Sequence, residues 1–286
     1  MTMHPQISLA QNSANFTVLG ASGFIGSNLV NYLKKQGYSC IAPLRDDVSI
    51  YGRPLGHIIY AIGLTADFRT RPLDTVEAHV CILRKLLAEA EFESLTYLSS
   101  ARFYRYAQST SEQTSFSMDP ARFDSIYDLS KLLGESMCLH SGRTNIKIAR
   151  LSNVVGLRND CDIFIDQVLN DILNKGSIFF NDSIEASKDY ISIEDILPIL
   201  TKVSLSPETG CFNIASGENT SNLEILNFLR REFSFDFLGS GSEEPINLPS
   251  IDISRIHRLF KFTPTPFEKF FPNYLAKFKE NRRITA

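Results

Sequence analysis

Tyr127 and Lys131 stand four residues apart in a stretch of helix formers that runs from Ile126 to Leu139. That spacing puts both side chains on one helix face. An ammonium beside a phenol favours the phenolate, drawing the tyrosine pKa from about 10 toward neutral pH. A phenol tuned in this way gives or takes the proton of a carbonyl/alcohol pair. Upstream, Ser99 and Ser100 close the apolar, β-prone run Leu95-Thr96-Tyr97-Leu98. Ligands of open α/β sheets bind at the carboxyl ends of strands, so the Ser100 hydroxyl is placed to hydrogen-bond the reacting oxygen. A Tyr/Lys pair alone is common on surface helices, and the strand that delivers Ser100 sets this one apart.

A second cluster lies near the start of the chain, Gly20-Ala21-Ser22-Gly23-Phe24-Ile25-Gly26, between the β-prone Phe16–Leu19 and a helical pattern. Strand, glycine turn and helix in that order are what a dinucleotide-binding turn requires. Gly20 permits the turn, Gly23 opens the backbone to a pyrophosphate, and Gly26 lets helix and strand pack closely. The helix N-terminus offers free N–H groups to phosphates, so Ser22, Phe24 and Ile25 join the cofactor set. At the end of the second strand Arg45 precedes Asp46 and Asp47. A basic residue there suits the 2′-phosphate of NADP, and an acidic one the ribose of NAD. Arg45 favours NADP; the competing readings are NAD held by Asp46, and an arginine that merely pairs with Asp46.

The elements that must position these residues alternate. Strands are expected at Phe16–Leu19, Ser39–Pro43, His57–Ala61, Leu95–Ser99 and Lys147–Leu151, and helices at Ile25–Gln36, Leu73–Ala90, Ile126–His140 and Phe164–Asn174. Such alternation predicts an α/β fold, a Rossmann doubly wound parallel sheet, with a smaller C-terminal substrate lobe. The dinucleotide-binding domain spans 15–156, its sheet completed by 186–217; 157–185 and 218–286 form the substrate lobe. Residues 1–14 read as a loose polar leader, and Ser234–Ser250 as a loosened pattern rich in Ser, Gly, Glu and Pro.

Bulk composition excludes several classes. With 286 residues the chain can bury a large core, and 29 Lys+Arg against 32 Asp+Glu leave a net charge of −3. That gives no electrostatic case for nucleic acid or an anionic membrane. The five cysteines, at 40, 81, 138, 161 and 211, have no zinc, redox or disulfide spacing, so no metal is expected. With no long apolar run and no signal peptide, the expected location is the cytoplasm.

Taken together the motifs resemble the extended short-chain dehydrogenases/reductases, specifically the NAD(P)-dependent epimerase/dehydratase family that acts on sugar nucleotides, over about residues 15–265. Besides the glycine turn, the likeness runs through Ser99-Ser100-Ala101-Arg102-Phe103-Tyr104, then Tyr127, Ser130, Lys131 and Glu135. It continues through Arg150, Asn153 and Gly156, the segment Lys188-Asp189-Tyr190-Ile191-Ser192-Ile193-Glu194-Asp195, and Phe212–Gly217 with Ser221. The resemblance implies Ser100, Tyr127 and Lys131 as catalytic residues. It places Ala61, Ile62 and Gly63 under the nicotinamide, and Thr65, Ser100, Asn153 and Lys188 at a nucleotide-sugar substrate. It also implies a homodimer through the helices at 73–90 and 126–141.

Departures from the family narrow the reaction. Dehydratases carry an acidic pair after the active-site hydroxyl residue, whereas Ala101-Arg102 stands here, which argues against dehydration. With Arg45, the reading is reduction of a 4-keto-(6-deoxy) sugar nucleotide, with Tyr127 as proton donor. The alternative is an NAD-dependent epimerase. His79-Val80 replaces the family's Asn-Val, and Lys188 its phosphate-binding arginine. A late basic residue is missing before Asp252, while Arg69 and Arg71 lie near the substrate entrance. A reductase of a non-nucleotide carbonyl and a non-catalytic NADP-binding module stay open.

Overall fold

The computed structural model describes residues 12–65, 67–158, 164–241 and 248–284. Strand β1 (Asn12–Leu19) passes through the glycine turn into α1 (Phe24–Lys35) and β2 (Tyr38–Ile41). Then come β3 (His57–Tyr60), α2 (Pro72–Val76), α3 (Ile82–Glu89), β4 (Ser94–Ser100), α4 (Ser125–His140) and β5 (Ile146–Leu151). A short β6 (Asn153–Val155), α5 (Phe164–Lys175), β7 (Ser177–Phe180) and β8 (Ser187–Ser192) precede α6 (Ile193–Leu205) and β9 (Gly210–Ile214). Six parallel strands form the central sheet in the order β2-β1-β3-β4-β5-β9. The fold is therefore the expected Rossmann-like α/β sheet, reversing direction beside β1. The usual order has one more strand outside β2. Here residues 42–56 form only a short turn of helix at Val48–Tyr51, so β2 is the sheet's edge.

The central strands are buried at successive positions, and alternate side chains face two layers of helix. Phe16, Val18 and Ile59 pack with Leu29, Leu33, Ile196 and Leu200 on one face. Leu19, Ile58, Tyr60, Leu95 and Tyr97 pack with Leu83, Leu86 and Cys138 on the other.

Two expectations need correction. β1 begins at Asn12 rather than Phe16, because backbone pairing with Tyr38, across a bulge between Asn12 and Asn15, needs no apolar side chains. Part of the supposed leader is thus strand; residues 1–11 lie outside the described residues, as does Cys161. The helix expected over Leu73–Ala90 is not continuous: a π turn at Glu77–Cys81 separates α2 from α3. A π turn leaves backbone carbonyls short of partners. Two tyrosines of the sheet donate to them, Tyr60 to Ala78 O at 2.6 Å and Tyr97 to His79 O at 3.4 Å.

Beyond β9 lie β10 (Asn219–Ser221), α7 (Asn222–Glu232), β11 (Asp236–Ser240), α8 (Ser254–Phe260) and α9 (Phe267–Ile284). Asp236–Ser240 is ordered strand within the segment read as loose; 242–247 lie outside the described residues. Small sheets β10-β8-β6 and β11-β7 enclose a second core of Phe180, Phe270, Phe271, Tyr274 and Phe278, with Phe267 stacked on Phe271 at 4.5 Å. Much of the phenylalanine content is concentrated there. Among the described residues no helix is long and apolar enough to cross a membrane.

Candidate active site

Glycine geometry joins the first pieces. Gly20 has φ +84°, and a Cβ on it would lie 2.7 Å from the Ala61 carbonyl carbon and 2.8 Å from Ile62 N. The turn therefore touches the segment expected under the nicotinamide. A Cβ on Gly26 would stand 2.1 Å from Gly20 O, so only glycine lets α1 start against the turn. Gly23 caps α1 with no side-chain hydrogen bond, and no acidic residue occupies the first turn. These are the features a pyrophosphate needs: open backbone, free N–H groups and the positive end of a helix. Ser22 is exposed beside them, and Phe24 carries the Arg158 guanidinium 3.9 Å from its ring centre.

From Gly63 the line runs on to the acid–base residues. A Cβ on Gly63 would lie 3.1 Å from His79 Nε2 and 3.4 Å from Lys131 Nζ. His79 is fully buried on the π turn, with Nδ1 2.8 Å from Ser130 Oγ and the rings of His79 and Tyr127 edge to face at 5.3 Å. Its Nε2 is buried with no hydrogen-bond partner, and burial together with the Lys131 charge pushes its pKa down to about 2. Neutral histidine is thus packed against Gly63 and Tyr127. Ser100 lies beside Tyr127 and opposes the rise of its pKa, and Ser100 Oγ accepts from Arg102 N at 3.1 Å.

One electrostatic expectation fails in the geometry. Burial raises the Tyr127 pKa; the opposing groups are Ser100 and Arg102, and Lys131 is not among them. Lys131 donates instead to Leu98 O at 2.8 Å, and burial lowers its own pKa to about 7. A group with a depressed basic pKa is neutral in the fold while still protonated when unfolded. The unfolded chain therefore binds more protons between about pH 7 and the ordinary lysine value, and stability rises with pH across that window. Lys131→Met is expected to stabilise the cofactor-free protein at pH 7 by about 1–3 kcal/mol. Melting curves at pH 7 and pH 9.5 check this, since the gain should shrink at the higher pH.

The remaining expected residues divide. Arg45 is exposed at the end of β2, and among the described residues it forms no ion pair; Asp47 takes Arg53 at 3.4 Å. Thr65 is exposed at a bend beyond Gly63. Asn153 Nδ2 donates to Asp189 O at 2.8 Å, and Lys188 is paired with Asp182 at 2.8 Å. Both substrate candidates therefore already have protein partners.

Several motif residues turn out to be scaffold. Arg150 donates to Glu135 at 2.7 Å and to the Tyr104 hydroxyl at 2.9 Å; Tyr104 in turn donates to Asn213 Oδ1 at 2.7 Å. Ser99 donates to the same Glu135. Asp189 accepts from Ser216 N at 2.9 Å and Gly217 N at 2.7 Å, and Asp195 accepts from Thr265 N at 2.7 Å. Composition alone missed Phe68, which packs on Tyr127 at 5.1 Å, and Gly134, where a Cβ would meet Tyr97 Oη at 2.4 Å. A glycine in the middle of a helix was the available signal for the second.

The sequence model of the family described as "NAD dependent epimerase/dehydratase family" matches residues 16–215. Among solved structures, MoeE5 in complex with UDP-glucose and NAD is 17% identical, with a TM-score of 0.78, covering 95% of this chain and 100% of that one. An epimerase from the thermophilic methanogen Methanothermobacter thermautotrophicus is 19% identical, with a TM-score of 0.80 over 96% of this chain and 95% of its own. RMD from Pseudomonas aeruginosa complexed with NADPH is 19% identical, with a TM-score of 0.73 over 88% and 94%. At these identities the likeness establishes the fold. No curated protein sequence matches the chain.

Proposed function

Because the chain belongs to the NAD dependent epimerase/dehydratase family, we propose that it reduces a 4-keto-(6-deoxy) sugar nucleotide with Tyr127 as the proton donor. The observation that carries this reading is the line from the glycine turn through Ala61, Ile62 and Gly63 to Lys131, with Tyr127 and Ser100 side by side beyond it. The cofactor is held by Gly20, Ser22, Gly23, Phe24, Ile25 and Gly26 at its pyrophosphate and by Arg45 at a 2′-phosphate. Ala61, Ile62 and Gly63 take the nicotinamide side. When bound, the nicotinamide supplies the hydride.

The protein's own residues manage the proton. A phenol whose pKa is raised by burial is protonated at neutral pH, the form required to donate to a carbonyl oxygen. Ser100 hydrogen-bonds the same oxygen and then the phenolate. Lys131, with its pKa near 7, holds or releases a proton at Nζ at working pH. Asn153, Lys188 and Thr65 serve the substrate, with Lys188 available once it gives up Asp182. Residues 15–156 with 186–217 form the cofactor domain, and 157–185 with 218–286 the substrate lobe. A homodimer would cover Leu133 and Leu139, which α4 exposes by 50% and 55%.

An NAD-dependent epimerase is the second reading, favoured by the NAD in the complex of MoeE5, a protein of similar fold. Parallel titrations with NADPH and NADH separate the two. A preference for NADPH of at least about tenfold, lost in Arg45→Ala, is expected for the reductase, as one charge-assisted contact supplies that much. NAD retained through purification would overturn it in favour of the epimerase. A panel of 4-keto sugar nucleotides then identifies the substrate.

A further inference from the structure

Guanidinium charge is gathered beside the buried Tyr127. The Arg102 guanidinium lies 5.4 Å from the Tyr127 ring centre and 5.0 Å from that of Phe68. Arg69 lies against Phe68 too, at 4.5 Å, and over Phe123 at 5.4 Å. Phe68 thus touches the Tyr127 ring and both guanidinium groups, Arg102 reaching the Tyr127 ring as well and Arg69 lying on Phe68 and Phe123. Arg102, Arg105 and Arg122 share two carboxylates, Asp124 and Asp128. Arg69 is exposed, and among the described residues no carboxylate pairs with it. Arg102, Arg105 and Arg122 outnumber the two carboxylates they share, and Arg69 adds a guanidinium beside them, while Asp67 and Asp74 are taken by Arg71.

Arg102 is oriented yet not used up. Among the described residues its guanidinium makes one hydrogen bond, from Nη2 to Asp124 at 2.7 Å; Nη1 stands 3.8 Å from Asp128, beyond hydrogen-bond range. Its side chain is 25% exposed, while Asp124 and Asp128 are buried behind it. Its backbone N–H also fixes Ser100 Oγ. A held guanidinium with a free edge, adjoining both Ser100 and Tyr127, is built for an oxyanion on the bound molecule. The other expected substrate cation, Lys188, is paired with Asp182.

We propose that Arg102 and Arg69 form an anion-recognition mouth, and that the substrate carries an anionic group, a carboxylate or a phosphate, close to the carbon served by Tyr127. The inference rests on the sugar-nucleotide reading above, and among the 4-keto sugars of that reading it selects those with an acidic group where the optional 6-deoxy carbon would stand. Arg102 is then a specificity-determining residue, which tells charged from neutral sugars.

The test is calorimetric titration of the NADPH-loaded protein with UDP-glucuronate, UDP-glucose and glucose 6-phosphate. UDP-glucuronate is expected to bind about tenfold or more tightly than UDP-glucose, the ordinary scale of one charge-assisted contact. Arg102→Gln should erase that gap, Arg102→Lys should restore part of it, and Arg69→Gln should narrow it. Arg69 is a surface side chain, so its variant reports even where loss of the Asp124 contact unfolds Arg102→Gln. Equal binding of the two UDP-sugars, or a gap unchanged in both Gln variants, overturns the proposal. Tightest binding of glucose 6-phosphate, lost in Arg102→Gln, supports the mouth with phosphate as its anion and overturns the sugar-nucleotide reading. Binding of none of the three overturns both.

Discussion

Tyr127→Phe is expected to lower kcat by about 10²–10⁴-fold, the ordinary contribution of a positioned general acid, with cofactor affinity largely unchanged. The substitution removes one oxygen from a ring whose packing against Phe68 and His79 stays in place. It therefore deletes the proton donor without opening the site. Ser100 would remain able to hydrogen-bond the carbonyl oxygen, yet a serine hydroxyl is far too weak an acid to take over the transfer. Lys131 cannot substitute directly, because its Nζ is turned to Leu98 O. Single-turnover oxidation of NADPH, followed by absorbance under saturating substrate, measures the loss. Turnover close to wild type in a variant that still binds NADPH would remove Tyr127 from the mechanism.

Arg150→Met should destabilise the protein by about 3–5 kcal/mol, the usual result of removing one partner from a buried ion pair. Arg150 and Glu135 have side chains only 6% and 5% exposed. Loss of the guanidinium strands the Glu135 carboxylate, and it also frees the Tyr104 hydroxyl that orders Asn213 on β9. Because Glu135 lies one turn beyond Lys131 on α4, the strain reaches the helix that carries Tyr127 and Lys131. Urea unfolding of the cofactor-free protein gives the number. The double variant Arg150→Met with Glu135→Leu should recover much of the loss, since an apolar pair of similar volume leaves no charge unpaired. A loss below about 1 kcal/mol in the single variant would show that water reaches the pair, and that the network does not hold α4 in place.

These predictions rest on residues that came to light in different ways. Tyr127, Lys131 and the glycines were legible because their spacing is local: a helix repeat or a tight turn places them whatever the rest of the chain does. The same holds for the strands, whose short apolar, β-prone runs Phe16–Leu19, His57–Tyr60 and Leu95–Leu98 are legible without the rest of the chain. Arg150, Glu135 and Tyr104 were legible only as members of a resemblance, with no physical task attached. Their contact spans 46 residues between Tyr104 and Arg150 and 109 between Tyr104 and Asn213. No local pattern encodes a bond of that kind.

By itself the sequence determined the alternating α/β order, the glycine turn, the Tyr127/Lys131 helix face and the family to which the chain belongs. Each follows from short-range periodicity, from backbone freedom at glycine or from motif order. Tertiary structure alone decided that His79 sits on a π turn against Lys131, and that Lys131 reaches Leu98 instead of the phenol. It also brought the guanidinium of Arg102 to the side of Tyr127. Those outcomes depend on which groups are buried together and left to find partners, and burial is set by the packing of distant segments, not by the spacing of neighbours along the chain.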